Sequence, residues 1–324
     1  MNNSKSTSLY KYILSSVVDK HLPENFSLPQ SDGDNEPRFA DGAIDGITIF
    51  HTAFSDMTDE EHELMAKAVS AASEADFELA DKLFMELGQK KRAISIIDEL
   101  QEYIIENRET FSAENFYHYA ILSIMESDNT ECVKYGLSIL ELFDIENNEK
   151  LKDVVRTLGL SDEFSIFVIF IMLKWENGND EVFRLAQKLH GWGRIHAIER
   201  IEPETSEIKE WLLRDGVHNN VLPAYSALIC WKNSDAETIL KNNPSREDLS
   251  GIRDIIDGLL DEGPVPGLSQ LENETDIIIT FLNKVMDMKP DTADYEVIQN
   301  ILTRYEEDNN NPEIVNLCKM ALDL

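Results

Sequence analysis

Between residues 181 and 216 the chain reads EVFRLAQKLHGWGRIHAIERIEPETSEIKEWLLRDG, and this stretch constrains the fold more than any other. Two apolar segments of helical period meet at Gly191-Trp192-Gly193, and a third begins just after Pro203. Glycine beside a helix end supplies the backbone freedom of a tight turn, while proline halts a helix and is tolerated at its start. The pattern is therefore helix, short turn, helix, short turn, helix. Weaker versions of the same pattern lie on either side. Such a chain buries its apolar stripes by stacking helix hairpins on one another.

On a wheel of 100° per residue, Ile195, Ala197, Ile198 and Ile201 share one broad face, and Arg194 falls inside it. An arginine there needs a hydrogen-bonded or ion-paired head, so Arg194 is expected to be structural, reaching a carboxylate or carbonyl between packed helices. The pattern Arg-x-x-Ala-x-x-x-Ile of Arg194, Ala197 and Ile201 resembles the second helix of HEAT repeats, where an arginine at this place commonly ties adjacent repeats together. Residues 203–214 resemble the first helix of the next repeat. There Ile208, Trp211 and Leu212 have i, i+3, i+4 spacing and make one stripe, which assigns Trp211 a structural role as well. The resemblance to the armadillo and HEAT class covers roughly this unit. It implies an all-α fold, a right-handed α-α superhelix with an irregular N-terminal segment, and no particular chemistry.

Residues 9–20 form a short amphipathic pattern closed by Pro23, and residues 22–46 turn rich in Pro, Gly, Asp and Asn. The pairs Asp41-Gly42 and Asp45-Gly46 predict tight turns, and residues 47–50 a brief extended piece. DGDNE at 32–36 fails as a calcium loop, because Pro37 stands where that loop needs glycine. Residues 1–57 are accordingly expected to pack on a repeat array spanning 58–324, whose clearest break is GPVPG at 263–267. Thr58 and Glu61 make a capping box, Gly88 reads as a helix C-cap, and Ser245 with Asp248 and Asn311 with Pro312 mark two further helix starts. The apolar run at 163–175 predicts the most buried helix. Helix content should exceed about 60%, against the usual one-third.

The formal charge is −33, from 62 acidic against 29 basic residues. That excess repels phosphate backbones and anionic membranes and attracts basic partners. Cys132, Cys230 and Cys318 are too sparse for a disulfide framework or a zinc site, and read as reduced core residues. No signal peptide is legible, and the longest apolar run is too short to span a bilayer, so a cytoplasmic protein is expected. No phosphate loop, dinucleotide fingerprint, nucleophile elbow or metalloprotease motif occurs, and no metal or other cofactor is expected.

The sequence thus favours a binding module of bacterial type that engages a basic protein or peptide. Nucleic acid and membrane are excluded as default partners. Two other classes stay open: a HEAT-like DNA glycosylase, which would need a basic groove, and a small-molecule or regulatory binding module. Trp192, His196 and Arg200 are the candidate binding residues. His196 lies about 40° and Arg200 about 80° round the wheel from Trp192, so all three project from one side, opposite the apolar stripe. A tryptophan outside its stripe needs a cover, which is either another repeat or a partner. Arg184–His218 also carries a locally balanced mixture of charges that reads either as an anion-receiving patch or as a salt-bridge lattice.

Overall fold

The computed structural model describes residues 7–29, 39–263, 265–307 and 311–324. The rejected calcium loop and Pro264 of the 263–267 break lie outside these. Helix accounts for 68% of the described residues, in eighteen α-helices, and no strand occurs among them. The chain divides into two compact units, Met1–Ala197 and Ile198–Leu324.

In the first unit, the N-terminal segment supplies α1 (Leu9–Ser16) and α2 (Ala43–His51). There follow α3 (Asp59–Ser73), α4 (Phe77–Lys90), a 3-10 turn (Ala93–Ser95), α5 (Ile97–Glu106), α6 (Ala113–Glu126) and α7 (Thr130–Leu140). The unit continues with α8 (Glu149–Gly159), α9 (Asp162–Met172), α10 (Gly178–Ala186) and α11 (Trp192–Ile198), whose last residue meets the unit boundary. Helices α3 with α4, α6 with α7 and α8 with α9 form hairpins. One layer runs α4, α7, α9, α10; the other runs α3, α6, α8, with α1 seated between α6 and α8.

Local chemistry explains most boundaries. The Thr58–Glu61 capping box is fully formed, and Asn129 and Asn148 cap α7 and α8 through their side chains. Between α3 and α4, Ala75 takes φ 64°, which ends the first helix. Small residues let the hairpins close: Ala68, Ala72, Ala80 and Ala120 are fully buried, as is Phe84, whose ring lies 4.7 Å from Tyr135 and 5.6 Å from Tyr119. Such aromatic pairs stabilise by about 0.5–1.5 kcal/mol beyond their area burial.

Three local expectations are corrected. Residues 47–50 are helical, within α2, and Asp45-Gly46 is part of that helix instead of a turn. Gly88 lies inside α4, which runs on to Lys90; a Cβ there would stand 2.7 Å from the Glu131 side chain, so this glycine serves interhelical approach. The most buried helix is α7, in which every residue from Glu131 to Leu140 is buried. Helix α9 keeps part of its first turn accessible.

The second unit holds α12 (Ser206–Arg214), α13 (Ala224–Asn233), α14 (Ala236–Lys241), α15 (Arg246–Leu260), a 3-10 turn (Leu268–Gln270), α16 (Glu274–Met288), α17 (Thr292–Glu307) and α18 (Pro312–Leu322). Helix α15, opened by a Ser245–Asp248 capping box, packs against α12, α13, α14, α16 and α17 and forms the centre. Val265 and Leu268 are buried after it. The three cysteines are free and buried.

Candidate functional site

Lys134 is the least expected feature of the first unit. It sits mid-way along α7 and is 0% exposed, in a helix otherwise buried almost entirely with apolar residues. A lone ammonium there would take up a low pKa or pull water in. Here each of its three N–H groups finds a carboxylate. Its Nζ lies 2.6 Å from Asp45 Oδ2 on α2, 3.2 Å from Glu131 Oε1 one turn back on α7, and 2.5 Å from Glu163 Oε1 in the first turn of α9. Phe167 lies beneath it, the ring centroid 5.9 Å away.

Arg92, just after α4, closes the cluster from the solvent side with 30% of its side chain exposed. Its Nε donates to Asp45 Oδ1 at 2.6 Å, and Nη2 stands 3.5 Å from both Glu131 and Glu163. The remaining carboxylate oxygens are occupied by backbone: Ala93 N–H donates to Glu131 at 2.8 Å, and Gly42 N–H donates to Glu163 at 2.7 Å. Burial works to raise the Asp45 carboxyl, but Lys134 and Arg92 outweigh it and hold Asp45 below the ordinary value. Burial works to lower Lys134, and the carboxylates of Glu131, Asp45 and Glu163 more than offset it. The amine stays charged and bonded on every side, so it serves neither as nucleophile nor as base. What the cluster does is anchor α2, a helix with no strong local reason to form.

A second carboxyl lies beside the cluster. Asp162 Oδ1 accepts from Gly193 N–H at 2.8 Å, in the turn that opens α11. Burial pushes this carboxyl up to about 7, helped by Asp41 and Glu163 and opposed by the Gly193 and Gly191 amides. On its other side the Asp41-Gly42 turn crosses the start of α9. Gly42 takes φ +75°, and a Cβ on it would stand 2.6 Å from the Asp162 carbonyl, so both backbone freedom and space call for glycine.

Two of the three candidate binding residues, Trp192 and His196, fall beneath α2, while Arg200 lies past the end of α11. Trp192 is 5% and His196 1% exposed, so the cover comes from within the chain, from the N-terminal segment and not from another repeat. Helix α2 covers them. Gly46 lies flat on the indole, where a Cβ would meet the ring at 2.1 Å, and the Phe50 ring is 6.0 Å from Trp192 and 6.2 Å from His196. Arg200 keeps a quarter of its side chain exposed and stands 3.3 Å from Glu199. Arg194 is buried, its Nη1 donating to the Ala186 and Leu189 carbonyls at 3.4 and 3.3 Å, where α10 ends. Trp211 is half-buried. In the mixed-charge stretch, Arg214 pairs with Asp248, Lys209 with Asp235, and Glu181 with Arg156, which gives an ion-pair lattice reaching to other helices.

The second unit carries an acidic cleft of about 710 Å³, lined by Leu222, Pro223 and Gly258 and by the carboxylates of Asp257, Asp261, Glu262 and Glu307. Arg304 also lines it, but its Nη2 is bound to Glu262 at 2.6 Å and its Nη1 to the Leu260 carbonyl. Asp257 and Asp261 sit at the C-terminal end of α15, which has no basic residue in its last turn. Carboxylates at the negative end of a helix dipole are unfavourable, and a bound cation relieves them.

Among the described residues no group of three His, Cys, Asp or Glu side chains is placed to hold a metal ion, and no helix is long and apolar enough to cross a membrane. Compared with known protein families, curated proteins and solved structures, the chain matches none of them.

The ion cluster was within reach of the sequence in one respect. Lys134 stands in CVKYGLSIL, a helix too apolar all round to offer a solvated face. That signal shows a buried cation and says nothing of its partners.

Proposed function

We propose that this chain is an acidic helical-repeat binding protein, of HEAT-like kind, that engages a basic protein or peptide through the cleft at the C-terminal end of α15. The observation that carries the reading is the cleft itself: four carboxylates beside apolar lining residues, with Arg304 already bound in place. A lysine or arginine side chain suits it, laying its aliphatic stem on Pro223 and Leu222 and its charged head among the carboxylates. The distribution of cations supports the same view. More than half of the lysines and arginines stand in ion pairs with carboxylates of this chain, which leaves few cations to balance the acidic excess. A DNA-acting enzyme would need a basic groove, and no observation favours one. A cytoplasmic setting belongs to this proposal, supported by the three free, buried thiols.

The test is calorimetric titration with a synthetic Lys/Arg-rich peptide and a Glu-rich control. The basic peptide should bind, more weakly as salt rises from about 0.05 M to about 0.5 M, while the control should not. The variant D257N/D261N/E307Q, altered only at positions lining the cleft, should weaken binding by about tenfold or more, about 1.4 kcal/mol. Unchanged affinity in this variant removes the cleft as the site. Absence of binding by any basic peptide at low salt overturns the proposal.

A further inference from the structure

We propose that residues 41–51 form a latch over Trp192 and His196, and that loss of a proton from Asp162 loosens it at the Asp41-Gly42 hinge. The inference is independent of the acidic cleft, which belongs to the other unit.

Among the described residues the latch is held at places of different chemistry, one of them the Asp41 side chain, which accepts from Leu28 N–H at 2.9 Å. Its hinge, Asp41-Gly42, is bonded to α9 through Gly42 N–H and Glu163. Its first helical turn is bonded through Asp45 to Lys134 and Arg92. Its inner face rests on α11 through Gly46 and Phe50. The contact with α11 is the apolar one, and Ile47, on the same short helix, is 40% exposed. A nine-residue helix with so little buried area depends on its polar anchors, since isolated helices of this length are marginal in water.

Asp162 touches both the hinge and the turn that opens the covered helix. Its backbone carbonyl lies under Gly42, and its carboxyl accepts from Gly193 in the turn that carries Trp192. A Cβ on Gly191 would stand 2.5 Å from Asp162 Oδ2, so that turn closes tightly around the carboxyl. Charged groups are gathered on every packed element. Asp41 and Asp45 stand on the latch, Glu163 on α9, Arg92 at the end of α4, and Glu131 and Lys134 on α7, while His190 and His196 flank the glycine turn in sequence. The two cations are already bonded to Asp45, Glu131 and Glu163. Among the described residues, a charge that appears on Asp162 therefore meets the carboxylates of Asp41 and Glu163, with the amides of Gly193 and Gly191 to receive it. The repulsion falls on Asp41, the one of these carboxylates that lies in the hinge, and the carboxyl titrates near 7, where such a change is reached under ordinary conditions.

Hydrogen exchange of the full chain, read by mass spectrometry over residues 41–51, tests this. After correction for the intrinsic rate, protection of this segment should fall about tenfold from about pH 6 to about pH 8, while that of α3 and α4 stays unchanged. In D162N the amide remains neutral and still accepts from Gly193, so protection should be high at both pH values. D41N, which removes one repelling carboxylate, should move the midpoint to lower pH. Equal protection of the native chain at both pH values overturns the proposal, as does the same pH dependence in D162N. Should D162N fail to fold, an unmoved midpoint in D41N overturns it instead.

Discussion

Replacing Lys134 by methionine tests whether the buried cluster holds the first unit together. Methionine keeps the length and most of the volume of lysine, so the change removes charge and three donors with little cavity. At an effective dielectric near 20, each contact at about 3 Å carries roughly 5 kcal/mol of gross attraction, much of it offset by the several kcal/mol needed to take an ammonium out of water. Without Lys134, Asp45, Glu131 and Glu163 face one another with Arg92 alone between them. The protein can limit the damage by binding a proton at one of them. Holding a carboxyl of ordinary pKa near 4 protonated at pH 7 costs about 4 kcal/mol, at about 1.36 kcal/mol per unit. The expected loss is therefore about 3–5 kcal/mol at pH 7, the range seen when one partner of a buried ion pair is removed. It should shrink to about 2 kcal/mol near pH 5, where that proton is cheaper to bind. The sign for the native chain agrees. Asp45 is depressed, so its contribution is present above the ordinary carboxylate range and is lost as pH falls through its folded value. Urea unfolding followed by circular dichroism, with the transition of the first unit fitted separately, measures both values. A loss under about 1 kcal/mol at pH 7, or a loss that grows towards pH 5, would refute the assignment of Lys134 to the centre of three carboxylates.

Two further outcomes follow from the cover on α11. Gly46→Ala places a methyl group inside the Trp192 ring contact, so it should destabilise by about 1–3 kcal/mol and raise exchange in residues 41–51, although alanine is the better helix former; a neutral or stabilising result in urea unfolding would contradict the close approach. Trp192→Ala should cost about 3–5 kcal/mol in the same assay, as expected for a large buried aromatic; an unchanged midpoint would show the indole to be dispensable to the fold and return it to the candidates for ligand contact.

How far the sequence reached depended on the range of the forces involved. The Thr58–Glu61 and Ser245–Asp248 boxes and the Asn311–Pro312 start were legible because cap and capped amide lie within three or four residues. The helix Ser206–Arg214 was legible within residues 203–214, since Ile208, Trp211 and Leu212 make an apolar stripe that repeats with the turn. The all-α class followed from such local signals. Helix α2 did not, because its stabilising partners are remote: Asp45 meets Lys134 across 89 positions, and Gly42 meets Glu163 across 121. Read locally, Asp-Gly pairs and β-branched isoleucines point to turns and extended chain. Trp192 and His196 stand on one helix, but α11 ends at Ile198, so Arg200 lies past its last turn and the wheel drawn through all three overran the helix. That the first two lie beneath α2 is decided by tertiary structure alone, because periodicity identifies the face of a helix and carries no record of which distant segment comes to rest on it.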